Sequence, residues 1–156
     1  MNKLHCVKTK KLQNPEVLAN TIYNNFVYLN QFPELMHTKE EILKTLTEKN
    51  NIIFLVYDGR KLIGYLVADI RFFPDNRYGC YISYFYVSQK YRGKKIGSKL
   101  LEKLIQKCRY EYLNSIVLTC DTLDTNLVKF YQKYNFIPDE VLGAPDRRHN
   151  VFSLFL

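Results

Sequence analysis

Tyr81–Leu104 reads YISYFYVSQKYRGKKIGSKLLEKL, and the fold turns on how these residues divide. Tyr81–Val87 is an apolar run rich in aromatic and β-branched residues, the pattern of a buried strand. Ser88–Gly93 is polar and predicts a turn. From Ile96 onward, apolar residues fall at Ile96, Leu100, Leu101, Leu104, Ile105 and Cys108, the spacing of one helix face. A strand that feeds a glycine-bearing turn and then a helix leaves unpaired backbone N–H groups aimed at one spot. The positive end of the helix dipole lies behind them. Such a place holds anions. Arg92, Lys94 and Lys95 add side-chain charge, so the expected anion is a phosphate or pyrophosphate.

Upstream of this stretch, Leu4–Thr9 predicts a first strand. Asn14 and Pro15 open a helix over 15–29, with its stripe at Leu18, Ile22, Phe26 and Leu29. Gln31-Phe32-Pro33 breaks it. Thr38-Lys39-Glu40-Glu41 is a capping box ahead of Ile42, Leu43 and Leu46, so a second helix covers 39–49. Strands are predicted at 51–57 and 61–73, joined by the hairpin pair Asp58-Gly59. Pro74-Asp75-Asn76-Arg77 turns the chain into a strand over 78–87.

Downstream, a helix is expected over 95–112. Its other face carries Lys95, Lys99, Lys103 and Lys107, read as a solvated stripe of which only the N-terminal end reaches a bound phosphate. Ser115–Asp121 is a strand. Asp124–Tyr134 is a helix with Leu127, Phe130, Tyr131 and Tyr134 on its apolar side. The last strands are expected near 136–142 and 151–156. The loop between them, 143–150, holds Asp146-Arg147-Arg148-His149. There is no repeat, low-complexity segment or linker, so residues 1–156 are expected to form one α/β domain.

The 156 residues suffice for one full core. Hydrophobic residues make up 47% and charged residues 24%, the balance of an ordinary globular chain. No apolar run approaches the ~20 residues of a membrane helix. The N-terminal MNKLHCVKTKK has no signal-peptide core, so no membrane association and a cytoplasmic location are expected. Cys6, Cys80, Cys108 and Cys120 form no C-x-x-C pair and sit in apolar runs. They read as reduced core thiols rather than metal ligands, and no metal is expected. The net charge of +8 suits a polyanionic partner. Nucleic acid is disfavoured as that partner, because no nucleic-acid-binding motif is present.

Arg92-Gly93-Lys94-Lys95-Ile96-Gly97 resembles the acyl-CoA-binding motif of the GNAT superfamily of N-acetyltransferases, which runs Arg/Gln, two residues, Gly, one residue, Gly/Ala. Arg92 and Gly97 match, and Lys95 stands where the family usually has its first glycine. A lysine there has to take a backbone shape compatible with a Cβ, or the loop has to differ. A second stretch, Asp124–Phe136, resembles the family helix that ends in tyrosine, three residues and Gly-Phe. Tyr131 falls on the tyrosine, Asn135 replaces the glycine and Asp124 stands where Asn is common. Asn tolerates the left-handed backbone of such helix ends.

The resemblance implies a mixed, mostly antiparallel sheet of six or seven strands, splayed at strand four and flanked by four helices. It implies acetyl-CoA as co-substrate, held by Phe85, Val87, Arg92, Gly93, Lys94, Lys95, Ile96, Gly97 and Asp124. A primary amine would attack the thioester directly. The Val87 N–H, at a break in strand four, would receive the oxyanion, and Tyr131 the thiolate. A monomer or homodimer is expected.

The base is less determined. Acidic pairs used by amino-sugar and polyamine members would fall on Ser83 and Tyr84, and the strand-five Glu of ribosomal-protein acetyltransferases on Thr119. No carboxylate stands at any of them. Tyr81 matches a tyrosine of some protein N-terminal acetyltransferases and is the expected catalytic partner of Tyr131. Asp69, Asp121, Glu34, His37 and His149 are further candidates, and Cys120 reads as a buried strand residue. Phe32, Pro33 and Glu34 are expected to line the acceptor groove. A protein or peptide amine is the expected acceptor. An amino sugar is the alternative, in which the Arg147-Arg148 loop would meet a phosphate. A third reading is an acyl-CoA-binding protein without catalysis.

Overall fold

In the computed structural model a seven-stranded sheet runs in the order β1-β2-β3-β4-β5-β7-β6. The strands are β1 (Leu4–Thr9), β2 (Asn51–Asp58), β3 (Lys61–Phe72), β4 (Tyr78–Val87), β5 (Ser115–Asp121), β6 (Ile137–Pro138) and β7 (His149–Phe155). The helices are α1 (Pro15–Leu29), α2 (Lys39–Thr47), α3 (Ile96–Tyr110) and α4 (Thr125–Lys133). The structure describes residues 4–9, 12–29 and 32–156, with side chains for 12–26 and 32–156. The Cys6 and Leu29 side chains and residue Gln31 therefore lie outside it. All pairings are antiparallel except β4 with β5. Among the described residues no helix is long and apolar enough to cross a membrane.

The helices begin and end where local chemistry places them. The Thr38 hydroxyl accepts from the Glu41 N–H and the Glu41 carboxylate accepts from the Thr38 N–H, each at 3.1 Å. This reciprocal cap starts α2. Ile96, Leu100, Leu101, Leu104, Ile105 and Cys108 on α3 are all buried. They pack with Ile52, Phe54, Leu66, Ala68, Ile116 and Leu118 on one face of the sheet. The other face packs Ile53, Leu55, Tyr65, Val67 and Tyr84 against Leu18, Ala19 and Ile22 of α1 and Ile42 and Leu46 of α2. Cys80, Cys108 and Cys120 are buried free thiols.

One irregularity in β4 decides where a cleft can form. Val67 pairs with Tyr84 but Ala68 pairs with Ile82, so Ser83 is an extra residue, a β-bulge. Side-chain parity inverts across it. Cys80 and Ile82 pack toward α3, Tyr84 packs toward α1 and α2, and Phe85 and Val87 return to the α3 side. The break in the strand is thus at Ser83, not at Val87 as the sequence led us to expect. Beyond the bulge β4 leaves β5. The two strands pair only at Cys80 with Ile116 and Tyr81 with Val117. Just before those pairs, a Cβ on Gly79 would sit 2.6 Å from the Ser115 carbonyl, so glycine permits the close approach from which the strands diverge.

The expected strand over 136–142 is reduced to Ile137–Pro138. Asp139 ends it. Its carboxylate accepts from the Val141 and Leu142 N–H groups, from Ser153 Oγ at 2.6 Å and from Arg77 Nη2 at 2.7 Å. A side chain that captures the backbone donors two and three residues on competes with the ladder. Burial pushes the Asp139 carboxyl up, but the Leu142 N–H, Ser153 and Arg77 outweigh it and hold it at about 2.

Candidate active site

Two open ends meet at β4. The first is the turn between β4 and α3. Gly93 has φ +77° and Lys95 φ +64°, both left-handed. Lys95 is the N-cap of α3 and its side chain makes no cap bond. The lysine therefore sits in the left-handed region that a glycine takes without strain, at a cost on the order of 1 kcal/mol. Tyr91 anchors the turn by donating its hydroxyl to the Asp58 carboxylate, and Lys94 Nζ lies 5.5 Å from the Tyr91 ring centroid. Arg92 Nε donates to the Val87 carbonyl at 2.8 Å. That carbonyl therefore points away from β3. The Ser88 N–H donates to the Ile63 carbonyl of β3, so by strict alternation the backbone groups of Phe85 and Val87 face the gap beside β5.

The second open end is a cleft of about 730 Å³ where β4 and β5 separate. Its lining includes Tyr81, Ser83, Tyr84 and Phe85 of β4, Thr119 and Asp121 of β5, and Tyr131 of α4. Phe85 joins the two ends. It lines the cleft, and its ring lies 3.8 Å from where a Cβ on Gly97 would stand.

Tyr131 is fixed from three sides. Asn135 takes φ +69°, the Phe136 N–H donates to the Tyr131 carbonyl and the Asn135 N–H to the Gln132 carbonyl. This is a Schellman end, with Asn in the left-handed position. The rings of Phe130 and Phe136 pack on Tyr131 at 5.3 and 5.5 Å. The residue is 6% exposed, and burial holds its phenol well above the ordinary tyrosine value. Among the described residues no group hydrogen-bonds to its hydroxyl.

The other expected residues divide into those inside the cleft and those outside. Tyr81 is inside, its hydroxyl 3.0 Å from Thr119 Oγ1 and its ring under the Arg71 guanidinium at 4.8 Å. His37, Asp121, Asp124, His149 and Phe32 also line the cleft, whereas Pro33 and Glu34 are exposed outside its lining. Asp69 lies outside too, gripped by Arg71 through two 2.7 Å bonds. Asp121 is gripped by Arg148 at 3.0 and 3.1 Å, and this partner lowers its pKa. Asp124 caps α4, accepting from the Leu127 N–H at 3.1 Å. Burial pushes the Cys120 thiol up to about 12. Among the described residues no group of three His, Cys, Asp or Glu could hold a metal.

A family model described as the acetyltransferase (GNAT) family matches residues 19–136. The chain belongs to the acetyltransferase (GNAT) family. It is an acetyltransferase by that membership, and acetyl-CoA is the co-substrate of the family. Among curated proteins none matches the chain. Solved structures share its fold. NAA60 of Arabidopsis thaliana in complex with acetyl-CoA superposes with a TM-score of 0.74 at 13% identity, covering 99% of each chain. The PaiA N-acetyltransferase of Thermoplasma acidophilum in complex with coenzyme A gives 0.71 at 15% identity, covering 97% of this chain and 99% of its own. An aminoglycoside acetyltransferase from an uncultured soil metagenomic sample, in complex with sisomicin, gives 0.65 at 17%, covering 83% and 86%. At such identities the likeness is one of fold.

Sequence reasoning missed how the cleft wall is assembled. Phe32 meets the His149 ring edge-on at 4.8 Å and lies under the Arg148 guanidinium at 4.6 Å. His37 Nδ1 lies 2.7 Å from the Tyr84 hydroxyl. These pairs join residues 47 to more than 100 positions apart, and no local pattern announces them.

Proposed function

We propose that the whole chain, 1–156, is one acetyl-CoA-dependent N-acetyltransferase domain whose acceptor is the primary amine of a peptide or protein. The juxtaposition of the anion-holding turn with the unbonded Tyr131 hydroxyl, through Phe85, carries the donor half of this reading. The turn fits a pyrophosphate. A Cβ on Gly97 would meet nothing in the protein closer than 3.8 Å, so the fold itself does not require glycine there. A phosphate seated on the N–H groups of 93–97 would require it. Arg92, Gly93, Lys94, Lys95, Ile96 and Gly97 hold the phosphates, and the gap-facing backbone of Phe85 and Val87 pairs with the pantetheine arm.

Acetyl-CoA supplies an acetyl carbon activated as a thioester. The Val87 N–H, fixed by its strand, donates to the oxygen that gains negative charge. Tyr131 meets the departing sulfur. Its phenol stays protonated at neutral pH, so it stabilises a thiolate (ordinarily about 8.5) by donating a hydrogen bond rather than by surrendering the proton.

The acceptor half rests on the wall opposite. Of the two arginines an amino-sugar phosphate would meet, Arg148 is held by Asp121 and Phe32, and Arg147 is exposed outside the cleft lining. What remains is an aromatic cleft with Tyr81, Phe32 and Tyr84, suited to an amine on an extended chain. The buried free thiols support a cytoplasmic location. Thiol release from acetyl-CoA tests the reading across free-N-terminus peptides, lysine ε-amines, glucosamine 6-phosphate and aminoglycosides. Peptide amines are expected to give the highest kcat/KM. Release with glucosamine 6-phosphate alone would overturn the acceptor, and binding without release would overturn catalysis.

A further inference from the structure

We propose that Tyr84 and His37 form the proton relay that makes the acceptor amine neutral, Tyr84 meeting the amine and His37 storing the proton. This rests on the N-acetyltransferase reading above. Tyr84 is the first residue after the Ser83 bulge and the one whose side chain the bulge turns toward α1 and α2. It lines the cleft, and its hydroxyl lies 2.7 Å from His37 Nδ1. Phe26 stacks on His37 with ring centroids 5.6 Å apart and meets Tyr84 edge-on at 6.2 Å, so both rings are held. Burial pushes the Tyr84 phenol up to about 12, so it keeps its proton, and in the relay it donates that proton's hydrogen bond to His37 Nδ1. A phenol alone is no base at neutral pH; a phenol already bonded to an imidazole can pass a proton on.

His37 also borders a second cavity of about 790 Å³, lined by Glu41, Lys44, Thr45 and Arg71 among others, where its proton exchanges with water. The charged and titratable groups facing the pair are few. Glu41 of α2 lies near both rings, and Thr45 beside it donates its hydroxyl to the Glu41 carbonyl at 3.1 Å. Tyr81 faces Tyr84 from β4. Asp69 and Arg71 at the end of β3 neutralise each other. The rival groups are compromised or differently placed. Asp121 is bound by Arg148 and Asp124 caps α4. Tyr81 bonds Thr119, which is no base, and is left to orient the amine. His149 is the remaining rival, 3.9 Å from Asp121.

The protons balance. The ammonium gives one proton to the Tyr84 oxygen as Tyr84 passes its own to His37 Nδ1, leaving a neutral amine and an imidazolium. The amine nitrogen then bonds the acetyl carbon, and the carbon–sulfur pair departs with sulfur. A second nitrogen proton goes to that sulfur, giving the amide and the free thiol.

The experiment is the pH dependence of kcat/KM for thiol release, with a free-N-terminus peptide as the amine. It compares wild type with His37→Gln, Tyr84→Phe, the double variant and His149→Gln. At neutral pH each of the first two is expected to lose about 10²-fold, its acid limb moving up to the range of the free α-amine at about 8, with acetyl-CoA affinity unchanged. The double variant is expected to be no worse than either single one, as for groups that act as a unit. Above about pH 9, where an α-amine is neutral unaided, the variants are expected to converge on wild type. A wild-type acid limb in His37→Gln, its upward shift in His149→Gln instead, or additive losses in the double variant would overturn the relay while leaving the transferase reading intact. A wild type that releases no thiol with any amine would overturn both.

Discussion

The donor side and the acceptor side of the cleft are built differently. On the donor side six consecutive residues, 92–97, form the turn between β4 and α3, anchored by the Tyr91–Asp58 bond. On the acceptor side, α1, the 32–37 segment, β4, β5 and the start of β7 all contribute to the lining, β4 the most. A turn of consecutive residues carries its geometry in its own dihedral angles. A wall gathered from five segments depends on strand register, and here on the one extra residue at Ser83. Substitutions on the donor side are therefore expected to act on affinity with the fold intact. Those on the acceptor side act on turnover, or on the register that holds the wall together.

The sharpest contrast is expected at Tyr131, where the two sides meet. Tyr131→Phe should keep the fold and acetyl-CoA affinity and slow turnover about 10²–10³-fold, the range for one hydrogen-bond donor to a developing charge. The loss should fall on kcat, because the hydroxyl acts only as the thiolate leaves. Single-turnover rates check it, and a wild-type rate would make Tyr131 a packing residue.

Gly97→Asp comes next. The fold should hold, since the new Cβ meets only ordinary contacts. Acetyl-CoA affinity should fall about a hundredfold, near 3 kcal/mol, because bulk and negative charge enter the phosphate seat. Calorimetric titration reads it.

Asp139→Asn tests the register side. The Asp139 carboxyl drops from 3.8 to about 2 on folding, a stabilisation of roughly 2–3 kcal/mol at neutral pH. Its folded pKa is depressed, so the contribution is present above about pH 4 and fades as pH falls toward about 2. Denaturant unfolding at pH 7 and pH 3 should show the wild-type advantage shrinking. An advantage equal at both would mean that Asp139 acts through shape alone.

The smallest effect is expected at Lys95. Lys95→Gly relieves φ +64° and should stabilise the fold by about 1 kcal/mol. It removes one solvent-screened cation, so acetyl-CoA affinity should change by no more than about 1 kcal/mol. Thermal unfolding and titration at two salt concentrations check both.

The same contrast explains what was legible in the sequence. The apolar face of α3, the capping box of α2 and the left-handed Asn135 end of α4 follow from local spacing and backbone chemistry, and all stand where they were expected. The bulge at Ser83 was not legible, because nothing in YISYFYV marks which residue is unpaired. Its consequences for Tyr84 were hidden with it. The shortening of β6 depends on Arg77 reaching Asp139 from 62 residues away. Pro33 and Glu34 were expected in the cleft because the loop between the first two helices lines the acceptor groove in the family, but a 3₁₀ turn over Pro33–Leu35 leaves both exposed outside the lining.

The central claim is that the turn at 92–97 receives the phosphates of acetyl-CoA and the gap-facing strand edge receives its arm. The most direct measurement is the backbone amide NMR spectrum during titration with acetyl-CoA. The expected result is saturable shifts largest at Gly93–Gly97, with Phe85 and Val87 following. Shifts confined to the Lys99, Lys103 and Lys107 face of α3, or no saturation, would contradict it.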